Sequence, residues 1–82
     1  MNYFRIHTIS SPTGRKIYRY ICKFVREKDP TSLIPLQTAL DLFLDQYDAR
    51  IIYDSTWGSV ELICFRSESG YTAYQLAHGS IE

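Results

Sequence analysis

Residues 16–26, KIYRYICKFVR, decide the predicted fold of this 82-residue chain. Aromatic and sulfur-containing side chains occupy the even positions from 18 to 24, whereas the odd positions mix cations with Ile and Val. A period of two is typical of a strand whose even side faces a core. Turn-forming residues at 10–14 connect this run to residues 3–9, which also alternate. The sequence therefore predicts an antiparallel hairpin between residues 3 and 26.

Charge is divided unevenly along the chain. Residues 1–28 carry seven of the nine Lys and Arg side chains and one acid, whereas residues 29–82 carry two bases and eight acids. The net charge of zero is therefore a segment of +6 followed by a segment of −6. Such a division is typical of a small protein that docks onto a macromolecule.

An amphipathic helix is predicted for residues 33–47, with a cap at Thr31 or Ser32. Its apolar side chains fall within an arc of about 140°, the width of a stripe that packs on a sheet, and Leu42 lies outside this arc. Residues 50–54 and 60–65 are predicted to be antiparallel strands. Residues 71–77 are predicted to be a fifth strand, with a short helix that ends at Gly79 as the alternative.

Together these elements predict an α+β fold of order ββαββ, followed by a final strand or short helix. One helix would cover one face of an antiparallel sheet, giving a two-layer sandwich in a single domain over residues 1–82. Hydrophobic content of 45% and charged content of 22% are typical of a folded chain. Because the apolar runs are far shorter than the ~18 residues that span a bilayer, we expect a cytoplasmic protein without membrane contact.

Signals of catalysis or cofactor binding are sparse. The four glycines are isolated, and no phosphate-binding loop, dinucleotide fingerprint or metalloprotease motif occurs. We therefore expect no cofactor, metal or small-molecule substrate and predict that the protein is not an enzyme. The two cysteines are interpreted as core residues, with a disulfide possible only between adjacent strands. The alternative is a small enzyme with a site built from His7, Cys22, Cys64 and His78.

Strand alternation predicts a docking surface on the sheet face opposite the helix. That face would be basic, partly apolar and uncovered, and an exposed apolar patch of this kind is typical of an interface. A tryptophan beside the turn between the third and fourth strands would supply an aromatic anchor. The predicted partner-binding residues are Arg5, Ile17, Arg19, Ile21, Lys23, Trp57, Ile63 and Phe65.

The leading functional interpretation is a non-enzymatic protein–protein interaction module. A chain of this kind is similar to the small accessory regulators and inhibitors encoded by phages, plasmids and bacterial operons. Its partner would be another protein or a second copy, as in a homodimer, since the +6 and −6 regions are complementary.

A nucleic-acid-binding protein that uses the cations of the basic N-terminal hairpin is the alternative to a protein-docking module. Strand alternation argues against this alternative, because Tyr18 and Tyr20 would point away from Arg19 and Lys23. Stacking aromatics and phosphate-binding cations would then lie on different faces.

Overall fold

The computed structural model describes residues 2–31 and 33–81. Within these ranges three helices accompany a three-stranded antiparallel sheet, which confirms the α+β class. The order along the chain is βααββα. The elements are β1 (Arg5–Thr8), α1 (Pro12–Lys28), α2 (Leu36–Asp45), β2 (Ala49–Tyr53), β3 (Val60–Phe65) and α3 (Glu68–His78).

The predicted N-terminal hairpin is wrong, because its second strand is helix α1. Ser11 caps this helix: its Oγ accepts a hydrogen bond of 3.1 Å from the Gly14 amide. Pro12 follows in the first turn, where an amide hydrogen has no helical partner to lose. Ile17 and Ile21, one helical turn apart, are both buried. The apolar residues of 16–26 thus fit the period of a helix as well as that of a strand, and tertiary packing selects the helix.

The predicted fifth strand is also wrong, and the alternative of a short helix is confirmed by α3. Ser67 caps α3 through a hydrogen bond of 3.1 Å from the Gly70 amide to its Oγ, as Ser11 and Gly14 do in α1. Gly79 ends the helix with a φ of 98°, a value that favours glycine.

Helix α2 is shorter than the predicted helix of residues 33–47, because its N-cap is Pro35. Thr31, one of the two predicted caps, instead donates from Oγ1 to Asp29 Oδ1 at 3.4 Å. Ser32, the other predicted cap, lies outside the described residues. The apolar stripe is confirmed for Leu40, Phe43 and Leu44, which are all buried, whereas Leu33, the first residue of the predicted helix, precedes α2 and is 99% exposed.

Strand β3 is the centre of the sheet, in the order β1-β3-β2. The predicted antiparallel pairing of the strands near 50–54 and 60–65 is confirmed, with Ile51 opposite Ile63 and a bulge between Ile52 and Tyr53. Cross-strand partners point to the same face. The face that carries Ile51, Ile63 and Phe65 packs on the helices. The core residues are Ile17, Ile21, Leu40, Phe43, Leu44, Ala49, Ile51, Ile63, Phe65, Tyr71 and Tyr74.

None of the helices in the described ranges has the length and apolar character needed to traverse a bilayer.

Candidate functional site

Five cations share the outward face of α1 and form a surface that we call the α1 stripe. At 100° per residue they fall within an arc of about 100° and extend along about 17 Å of the helix axis. All five side chains are exposed. The members of the α1 stripe are Arg15, Lys16, Arg19, Lys23 and Arg26.

The protein's own acids leave most of the α1 stripe uncompensated. Across residues 2–31 and 33–81, the one carboxylate within 4.0 Å of the stripe belongs to Glu27, which pairs with Lys23. Both side chains of this i,i+4 pair are exposed, and such pairs are worth only a few tenths of a kcal/mol. Arg15 donates from Nη2 to the Ser10 carbonyl oxygen at 3.3 Å. The stripe therefore presents several positive charges to an external anion.

Tyrosines of α1 lie beside the stripe, not within it. Tyr18 is half-buried against the core. The Tyr20 ring stacks on the Phe24 ring with centroids 6.1 Å apart, and its hydroxyl bonds to His78. Aromatic and cationic side chains thus occupy neighbouring faces of α1, and not the opposite faces that strand alternation predicted, because residues 12–28 are helical.

A groove of about 700 Å³ lies between the C-terminal end of α1, the following loop and α2; we call it the α1–α2 groove. Its lining is largely apolar, and Ile34 and Leu42 on its loop and α2 sides are 49% and 59% exposed. Leu33, which precedes Ile34 in the loop, is 99% exposed. The other apolar lining residues are Phe24, Val25, Pro30, Leu36, Ala39 and Phe43.

The charged side chains that line the α1–α2 groove are all on its α1 side. They are Arg26 and Lys28 of α1 and Asp29, which follows the helix. The α2 side contributes apolar residues and Gln46. Asp41 and Asp45 are exposed on α2 but do not line the groove.

A second cluster surrounds His78 at the end of α3. Its Nδ1 lies 2.9 Å from the Tyr20 hydroxyl and its Nε2 lies 3.0 Å from the Tyr47 hydroxyl. The rings of Phe24 and Phe43 pack against the imidazole with centroids 4.8 and 5.2 Å away. Burial lowers the pKa of His78, and the nearby charge of Lys28 lowers it further. This arrangement joins α3 to α1 and α2.

The four residues of the proposed enzyme alternative lie in four different environments. His7 Nε2 is 3.3 Å from the Tyr71 hydroxyl, whereas His78 lies between Tyr20 and Tyr47. Both cysteine thiols are free. Cys22 is on α1, and Cys64 is opposite Arg50 on the sheet face away from the core cluster. Among the described residues, no group of three or more His, Cys, Asp or Glu side chains could hold a metal ion.

Four of the predicted partner-binding residues are not on a surface. Ile17, Ile21, Ile63 and Phe65 are at most 5% exposed and belong to the core. The prediction that these four residues lie on an uncovered sheet face is wrong, because helices cover that side of the sheet.

The other four predicted partner-binding residues are exposed but lie on different elements. Arg19 and Lys23 belong to the α1 stripe, and Arg5 on β1 has its guanidinium 5.4 Å from the Phe4 ring centroid. Trp57 is in the β2–β3 loop, where its amide donates to Asp54 Oδ1 at 2.8 Å. Sequence reasoning missed the clustering of Arg15, Lys16 and Arg26 with Arg19 and Lys23. The signal was their three- and four-residue spacing, which only a helix converts into one face.

No family model, curated protein or solved structure matches this chain.

Proposed function

We propose that this protein binds duplex nucleic acid, without catalysing a reaction, through the α1 stripe. The observation that carries the proposal is the set of five exposed cations within an arc of about 100° on one helix face. Duplex DNA carries about one negative charge per 1.7 Å of its axis, and cations that neutralise phosphates release bound counterions. That release is the source of most non-specific affinity for nucleic acid.

The form of the stripe favours contact with phosphates over contact with bases. Cations four residues apart on a helix are separated by about 6 Å along its axis and so contact several phosphates in succession. Arg15 and Arg19 have planar guanidinium groups that can bind phosphate oxygens in pairs. Stacking platforms for single strands need exposed aromatic rings among the cations. Tyr18 is half-buried against the core, and Tyr20, although 39% exposed, is held beside the stripe by stacking on Phe24 and by its bond to His78, which favours a duplex.

The leading interpretation from the sequence is binding to a protein through an open sheet face. Four of the eight residues predicted for that surface are buried, so they cannot contact a partner. A regulatory or inhibitory role remains a proposal that would depend on nucleic-acid binding. We also propose a cytoplasmic location, where nucleic acid is accessible and the free thiols of Cys22 and Cys64 stay reduced.

The test is fluorescence anisotropy with labelled duplex DNA, duplex RNA and the matching single strands at low salt. The variant is Arg19→Glu/Lys23→Glu, and the control is Arg50→Glu/Arg66→Glu, which makes the same change in net charge outside the stripe. We expect duplex binding by the wild type, a loss of at least about tenfold in the stripe variant and a much smaller loss in the control.

Three outcomes would overturn the proposal. They are no duplex binding at low salt, equal losses in both variants, and displacement of the duplex by polyglutamate at equal charge concentration. The last would indicate an acidic protein surface as the ligand of the α1 stripe.

A further inference from the structure

We infer that a cleft beside the α1 stripe binds an unpaired nucleobase that projects from the duplex held by the stripe. This inference rests on the proposed function, because the stripe must first bind the phosphates of the duplex. The cleft has a volume of about 470 Å³ and lies between α1, the start of α2 and the β2–β3 loop; we call it the Tyr53 cleft. Its lining includes Tyr18, Leu36, Gln37, Tyr53 and Ser59.

The Tyr53 cleft adjoins a second cleft that belongs to the α1 stripe. The second cleft has a volume of about 550 Å³, and Tyr18 and Leu36 line both. Arg19, Lys23 and Arg26 of the stripe line the second cleft. A phosphate bound by these cations therefore lies next to the Tyr53 cleft, and the base attached to it can enter.

The charges of the two clefts differ as the two parts of a nucleotide differ. Among the described residues, no charged side chain lines the Tyr53 cleft, whereas three cations and the acid Glu27 line its neighbour. Burial raises the pKa of the Tyr53 hydroxyl, and the negative charge of Asp41 raises it further, so an anion in the Tyr53 cleft would be repelled. A nucleotide, which joins an uncharged base to an anionic phosphate, matches this division.

Polar groups in the otherwise largely apolar Tyr53 cleft can bind the edge of a base. The Tyr53 hydroxyl oxygen is buried and makes no hydrogen bond within residues 2–31 and 33–81, although the Gln37 side chain lies beside it. A buried hydroxyl without a partner is unfavourable, and a ligand that bonds to it removes that cost. Gln37 and Ser59 are exposed. The Gln37 side chain can therefore turn aside and give a base access to the Tyr53 hydroxyl.

An aromatic ring is available on the loop side of the Tyr53 cleft. Trp57 is 83% exposed and directly precedes Gly58, which lines the cleft. Stacking on aromatic rings favours the binding of unpaired bases of any identity. Bases inside a perfect duplex stack on one another and would have to be extruded, whereas a bulged base is already unpaired and enters at little cost.

Other ligands with an anionic and an uncharged part fit less well. A fatty acid would leave the polar groups of Gln37, Tyr53 and Ser59 without hydrogen bonds. A free nucleotide has suitable chemistry but presents its phosphate at one point. The five cations of the α1 stripe extend along about 17 Å and so match a chain of phosphates.

The test is fluorescence anisotropy with three labelled DNA duplexes of one sequence at low salt. The first is fully paired, the second carries one extra unpaired adenine, and the third carries an abasic residue in place of that adenine. We expect the adenine bulge to bind about tenfold more tightly than either of the others, because one base adds stacking and hydrogen bonds. The abasic duplex is the control for the greater flexibility of a bulged duplex.

Two variants test whether the base lies in the Tyr53 cleft. Tyr53→Phe removes only a hydroxyl, and Trp57→Ala removes an exposed ring. Each should lower the preference for the adenine bulge by about threefold or more and leave the affinity for the fully paired duplex unchanged. Leu76→Ala, at a residue that is 84% exposed on α3, is the control for Trp57→Ala and should change neither affinity. Urea unfolding of Tyr53→Phe should show no loss of stability, since the hydroxyl has no partner to lose.

Failure of this inference and failure of the proposed function give different results. Equal affinity for the three duplexes, with binding that still depends on the α1 stripe, would overturn the nucleobase site alone. Equal gains for the adenine and abasic bulges would also overturn it, because flexibility of the duplex would then explain the preference. A preference that survives both Tyr53→Phe and Trp57→Ala would place the base outside the Tyr53 cleft. Absence of all duplex binding would overturn both proposals.

Discussion

The Tyr20 hydroxyl lies 2.9 Å from Nδ1 of His78, so a residue of α1 is bonded to the last residue of α3 across 58 positions of sequence. The other ring nitrogen of His78 bonds to Tyr47, just after α2. A neutral imidazole satisfies both tyrosines at once, because one nitrogen donates while the other accepts. His78 therefore links the middle of α1, the segment after α2 and the end of α3, on the side of the molecule next to the α1–α2 groove.

The stability of the protein should fall as the pH falls below about 6.5, the ordinary pKa of histidine. Burial and Lys28 depress the pKa of His78 in the folded state, so the unfolded chain binds a proton first. The contribution of His78 is thus complete above pH 6.5 and is lost as the pH drops towards the lowered pKa. The free energy of unfolding, determined with urea at several values between pH 5 and 8, measures this loss of stability.

The control for this pH dependence is His78→Gln, which cannot titrate. We expect the variant to be less stable at neutral pH but to show a smaller loss of unfolding free energy between pH 6.5 and 5. The two proteins differ only at position 78, so the difference between their pH profiles reports His78. If the unfolding free energy fell equally with pH in the two proteins, the pH dependence could not be assigned to His78.

Gly14→Ala and Gly70→Ala should each destabilise the protein by about 1–3 kcal/mol. A Cβ on Gly14 would overlap the carbonyl oxygen of Thr8, and a Cβ on Gly70 would overlap that of Tyr47. Backbone atoms cannot yield as a flexible side chain can. Thr72→Ala, exposed on α3, is the control and should change the unfolding free energy by less than about 0.5 kcal/mol. Chemical denaturation of the three variants provides the comparison.

The same two motifs explain where prediction from sequence failed. Ser11-Pro12-Thr13-Gly14 and Ser67-Glu68-Ser69-Gly70 have the composition of turns, and this composition predicts a turn between two strands. In the structure each begins a helix, with serine as the cap and glycine packed against a backbone carbonyl. Local composition does not distinguish these cases, because the close approach to Thr8 or Tyr47 is a tertiary contact.

Prediction succeeded where a single period fitted the residues. Leu40, Phe43 and Leu44 have helical spacing only, and they are buried as expected, whereas Leu42 is exposed as expected. In α1, apolar side chains at 17, 18, 20, 21, 22, 24 and 25 satisfy periods of two and of 3.6. The same ambiguity concealed the α1 stripe, because strand alternation distributes its five cations over two faces.

Cys22 should react with a thiol reagent in the native protein, whereas Cys64 should react only on unfolding. Cys64 is fully buried, and burial raises the pKa of its thiol, which reduces the thiolate fraction. Cys22 is half-buried on α1. Mass spectrometry after brief alkylation should show one modified site, and Cys22→Ser should remain unmodified until denaturant is added. Rapid native alkylation of Cys22→Ser would contradict this order.

The salt dependence of duplex binding should reveal how many cations of the α1 stripe contact phosphates. If all five contact phosphates, log K should fall against log salt with a slope of about −4.5, a loss of about 500-fold between 50 and 200 mM. Arg19→Gln removes one contact and should reduce the slope to about −3.6, with a similar reduction for Lys23→Gln. Arg50→Gln, a change of equal charge on β2, should leave the slope unaltered. Because each substituted side chain is exposed and glutamine removes its charge without adding bulk, we expect the fold to be retained and the slope to report phosphate contacts. A slope that does not respond to Arg19 would mean that this face of α1 does not lie along the phosphates.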